Sequence, residues 1–104
     1  MSDKPLFIAL TTKWFNKFAA GEKPFEIRPY GPRWNERTCV QGRDVTLSKG
    51  YGKAHRLQGK ITRFEKIESY AHLDEPYRTQ YIEVYGERSG PISLIKIAIT
   101  RPQN

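Results

Sequence analysis

Lys23, Glu26 and Arg28 place an ammonium, a carboxylate and a guanidinium within one short stretch, Gly21-Glu22-Lys23-Pro24-Phe25-Glu26-Ile27-Arg28. Two cations around one carboxylate could hold a phosphate or a carbonyl oxygen, while the carboxylate accepts from an exocyclic amine. That is the chemistry of a nucleotide or base pocket, with Glu26 reading the base. In an extended chain successive side chains alternate between faces, so Glu26 and Arg28 share one face and Phe25 and Ile27 the other. Lys23 falls in phase with Phe25, but Pro24 and the turn after Gly21 can re-aim it toward the polar face. The same triad can also be read as an ion-pair network closing one end of a fold, because charges leaving water must be paired.

The wider chain carries a formal charge of +7 and a pI near 9.7, which suits a polyanionic partner through counterion release and equally suits plain solubility. Its middle is crowded with bases from Arg28 through Arg37, Arg43 and Lys60 to Arg63, interleaved with flat rings. Tyr30, Arg33, Trp34, Lys49, Tyr51, Lys53, His55 and Arg56 are therefore candidates for an RNA-binding rim, the rings stacking on bases and the cations meeting phosphates. Gly50-Tyr51-Gly52 would let backbone amides approach a phosphate, although the Walker spacing is absent. His55 and His72 sit in different segments and Cys39 is alone, so no metal site and no cofactor are expected. His55 reads as a surface residue at an RNA edge and Cys39 as a structural free thiol.

These groups need a scaffold, and 104 residues without a disulfide suffice for one domain, 1–104, with a modest core. Leu6 to Leu10 reads as a strand buried on both faces. A helix follows, N-capped by the hydroxyl of Thr11 or Thr12, with Trp14, Phe15, Phe18 and Ala19 on its apolar face and Gly21 at its end. The motif strand runs from Phe25 to Pro29, and residues 30–35 form an ordered loop rich in turn residues. Strands are expected from Asp44 and from Arg56 to Phe64, with a bulge at Gly59, and finally from Ile92 to Ile99. Residues 68–79 read as a connection with a helical turn. Tyr81 to Tyr85 suits either a strand or a short helix, and Tyr77, Tyr81 and Tyr85 recur as a packing face in either case. The ends, 1–4 and 101–104, are expected to fray. The pattern is α+β: a small mixed β-barrel with one N-terminal helix and one or two short helices. No apolar run is long enough to span a bilayer, and the lone cysteine suits a cytoplasmic location.

The stretch Gly21 to Arg28 resembles the Gly-x-Lys-x-x-Glu-x-Arg signature of the ASCH domains, relatives of the PUA RNA-binding domain. Leu6 to Leu10 and Trp14 to Phe18 are similar to that family's opening strand and helix. Gly42-Arg43-Asp44-Val45-Thr46-Leu47 resembles its next strand, with Arg43 inserted before the acid. The resemblance implies a PUA-like barrel and binding of single-stranded RNA or a nucleotide around the motif. One bacterial branch removes the acetyl group from N4-acetylcytidine using a lysine, a threonine nucleophile and a glutamate. That threonine's position is Glu26 here, so the resemblance would leave Lys23 and Glu26 as the catalytic pair only if the carboxylate activates water. Other members are linked to RNA cleavage. The main expectation is thus RNA binding. The alternatives are an amidohydrolase of modified pyrimidine nucleosides, a ribonuclease, or a protein-interaction module, including one of phage or prophage origin, with no nucleic-acid role.

Overall fold

The computed structural model describes residues 4–22 and 25–101. Lys23 and Pro24 of the motif, and the outermost residues of both expected frayed ends, lie outside the described residues. Five strands form one curled sheet, a half-barrel, in the order β1-β3-β4-β5-β2, with two α-helices beside it. The strands are β1 (Leu6–Leu10), β2 (Phe25–Pro29), β3 (Asp44–Lys49), β4 (Arg56–Ile67) and β5 (Ile92–Arg101). The helices are α1 (Thr12–Ala19) and α2 (Tyr77–Tyr85). β1 pairs with β3 in parallel and every other pairing is antiparallel.

In β1, burial alternates. Leu6, Ile8 and Leu10 are buried, whereas Phe7 and Ala9 are half-buried. This corrects the expectation of a strand buried on both faces, because β1 is an edge of the sheet and only the face of Leu6, Ile8 and Leu10 belongs to the main core. Leu6, Ile8 and Leu10 join Phe15 and Phe18 of α1, Val45 and Leu47 of β3, Leu57 and Ile61 of β4, and Ile95 and Ile97 of β5 in the main core. The α1 apolar face is narrower than expected, since Ala19 is exposed. Thr11 is the N-cap by its extended backbone, but its hydroxyl makes no cap hydrogen bond. Gly21, at φ +76°, closes the helix where a side chain would be strained.

A second core lies across the sheet, where Ile27 and Ile92 meet Leu73 and Tyr81. Residues 77–85 are a helix, which settles the open choice between strand and helix. Tyr77, Tyr81 and Tyr85 recur once per turn on the side facing this core. The connection before α2 contains a 3-10 turn at Tyr70–His72.

β4 pairs antiparallel with both β3 and β5, and its ladder with β5 breaks at two register shifts, between Gln58 and Gly59 and between Ile61 and Arg63. The first is the expected bulge. A Cβ at Gly59 would stand 2.7 Å from the carbonyl oxygen of Ala98 and 3.0 Å from Ile97 Cγ2. Gly59→Ala is therefore expected to cost about 1–3 kcal/mol, as overpacking against backbone does. Gly31→Ala, where no atom lies within 4 Å, should stay within about 0.5 kcal/mol. Urea midpoints of the two variants check this, and equal midpoints would mean that the bulge tolerates a side chain. Lys4, expected to fray, is held through its carbonyl by the Arg43 guanidinium at 3.3 Å, and Arg101 pairs with Gln58.

Candidate nucleotide pocket at the sheet seam

Curling brings the two edge strands, β1 and β2, to face each other without backbone pairing. The carbonyls of Phe7 and Ala9 on the open edge of β1 need donors, and arginines supply them. Arg28 Nη2 donates to the Ala9 carbonyl at 3.0 Å and Arg33 Nη2 to the Phe7 carbonyl at 3.1 Å. Both guanidiniums lie over the Trp34 ring, that of Arg28 4.6 Å and that of Arg33 5.1 Å from its centroid. A planar cation over an indole face keeps its fork of donors aimed in one direction.

Glu26 pairs in register with Ile95 of the main core, so its side chain shares the concave face with that core and is buried. A carboxylate leaving water requires charge-assisted hydrogen bonds. Arg28 Nε donates one to Glu26 Oε2 at 2.5 Å, the pairing expected from their spacing of two along one strand. The motif strand therefore does what its alternation predicts: acid and base on the concave face, and Ile27 on the opposite one.

Beside this pair is a pocket of about 220 Å³. Ala9, Leu10 and Thr11 form one side and Trp14 of α1 an aromatic wall. Glu26 and Arg28 supply charge, and Gln80 and Tyr85 of α2 close the far side. Among the described residues, Gln80 Oε1 is a buried side-chain oxygen with no hydrogen-bond partner. Such an atom loses its hydration without compensation unless a ligand or water serves it. Burial pushes the Tyr85 hydroxyl above the usual tyrosine range; Arg28 pulls against that shift, whereas Glu26 adds to it. At pH 7 the pocket thus holds a neutral phenol, which can both donate and accept.

Of the expected site residues, the structure brings Glu26 and Arg28 together at the pocket. Lys23 lies outside the described residues. Arg33 and Trp34 belong to the seam beside it, and Trp34 also packs against the main core, so its ring is less available for stacking than expected. Tyr30 is elsewhere: its hydroxyl donates to Glu36 at 2.5 Å and Lys66 covers its ring at 4.2 Å. Lys49 extends over Phe15 of α1 at 5.4 Å. Tyr51, Lys53 and His55 are exposed on the turn between β3 and β4, and Arg56 begins β4 beside them. The expected single rim is therefore divided between the seam, the β3–β4 turn and the detached Tyr30. Cys39 is buried, and loss of hydration raises its thiol's pKa more than nearby Arg43 lowers it.

Trp14, Gln80 and Tyr85 were not foreseen as site residues. Trp14 and Tyr85 carry the periodicity of core positions, and nothing local distinguishes a residue that lines a pocket from one that fills a core. Among the described residues, no group of three or more His, Cys, Asp or Glu could hold a metal ion. No helix among them is long and apolar enough to cross a membrane.

Fold and site together define a small basic α+β protein with a charge-paired pocket where its two sheet edges meet. No protein-family model matches the chain, and no curated protein matches it.

Proposed function

We propose that this is an ASCH-type, PUA-like RNA-binding domain that receives a single base or nucleotide in the pocket beside Glu26 and Arg28. What carries the reading is that a buried carboxylate paired with a half-buried guanidinium, an unpartnered amide oxygen and an indole wall line one cleft. At about 220 Å³ it falls below the roughly 300–1,000 Å³ of pockets for drug-sized ligands, which suits one heterocyclic ring rather than a larger molecule. Glu26 accepts from an exocyclic amine, Gln80 pairs with the polar edge of the base, and Trp14 borders the cleft with apolar surface. Lys23 is assigned to the phosphate or carbonyl of the ligand by the motif alone. The half-barrel with its opening strand, helix, motif strand and following strand in that order supports the family reading.

The pocket is tested by titrating a fluorescein-labelled single-stranded RNA octamer at about 50 mM salt, a condition that strengthens phosphate contacts. Gln80→Leu, which preserves bulk and removes the amide, is expected to weaken binding about tenfold, equivalent to one hydrogen bond in a buried site. Failure of the parent protein to bind any such octamer would overturn the proposal in favour of a protein-interaction role.

A further inference from the structure

The outer face of β1 carries an aromatic platform that the pocket does not use. Tyr51 is 84% exposed, yet its ring stacks on Phe7 with centroids 6.2 Å apart and planes 27° apart. The Arg56 guanidinium covers the same Phe7 ring at 5.3 Å and donates to the Gly52 carbonyl at 3.3 Å. On the other side, Arg33 holds the Phe7 carbonyl. Two cations are thus fixed beside a ring pair whose outer surface is open to water. From Val45 to Phe64 the chain contains no acid, whereas Lys49, Lys53, Arg56, Lys60 and Arg63 all fall within it.

The platform and the pocket are linked through one strand, β1. Phe7 and Ala9 are alternate residues of one strand and point to the same face, roughly 6.6–6.8 Å apart. Ala9 lines the pocket, and its carbonyl is held by Arg28 as that of Phe7 is held by Arg33. Arg28, Arg33 and Arg56 therefore follow β1 from the pocket lining to the Phe7 ring. Rings with exposed faces beside a cationic track are how proteins hold single strands without reading their sequence.

Building on the pocket reading above, we infer that the ligand is a nucleic-acid strand of at least two nucleotides. One base enters the pocket and a neighbour stacks on Tyr51, with the intervening phosphates lying along Arg28, Arg33 and Arg56. Tyr51 gives affinity without base preference, so sequence selectivity resides in the pocket.

The experiment compares the labelled RNA octamer with uridine and cytidine monophosphates, the latter followed by tryptophan fluorescence. Tyr51→Ala is expected to weaken octamer binding at least fivefold, the lower end of a lost base stack. It should leave the salt slope and monophosphate binding unchanged, because neither the charge nor the pocket is altered. Tyr51→Phe should bind like the parent. Octamer binding by Tyr51→Ala within twofold of the parent would overturn the platform while leaving the pocket reading intact. A parent that binds no octamer would overturn both.

Discussion

Arg28→Ala is expected to destabilise the protein by about 3 kcal/mol, the lower end of what removing one member of a buried ion pair costs. The side chain is 20% exposed and that of its partner Glu26 5%, so the carboxylate recovers only part of its lost guanidinium bond from water. The substitution also removes the donor to the Ala9 carbonyl and the cation over Trp34, two contacts that join β1 to β2 and the loop after it. Arg28→Lys should fall between parent and alanine variant. It restores the charge but not the planar fork that serves Glu26 and Ala9 together. Urea unfolding at constant m-value measures the difference. An alanine variant within about 0.5 kcal/mol of the parent, the usual range of a neutral surface change, would mean that the seam does not depend on this arginine.

The second large effect is on binding. If about five phosphates of a single strand meet the basic track, the logarithm of affinity should fall against the logarithm of salt concentration with a slope near −3.5. Raising salt from about 50 to 200 mM would then weaken RNA binding about a hundredfold. Arg56→Gln should make that slope shallower by about 0.7, the share of one phosphate contact. A slope close to zero would remove the electrostatic basis of the proposal, because the net charge of +7 would then have no role in capture. The two predictions separate the roles of the arginines: Arg28 acts mainly on stability through Glu26, and Arg56 on affinity through solvent-facing charge.

Much of the scaffold was legible in the residues. Alternation placed Glu26 and Arg28 on one face because a strand has a period of two, which no tertiary context changes. Gly21 and Gly59 marked a helix end and a bulge for reasons of local geometry, and both stand there. Tyr77 to Tyr85 was ambiguous since a spacing of four falls on one face of a strand and of a helix alike; packing across Ile27 and Ile92 decided for the helix. The pocket could not be read locally at all. Its walls come from β1, α1, β2 and α2, which meet only when the sheet curls and its two edges close on each other. By itself, the sequence determined charge, strand phase and the pairing of acid with base, since each depends on covalent neighbours a few residues apart. The tertiary structure alone decided that Gln80 lines one pocket with this pair, that Trp34 meets two arginines, and that Tyr51 remains open, because those outcomes depend on which surfaces the curled sheet brings together.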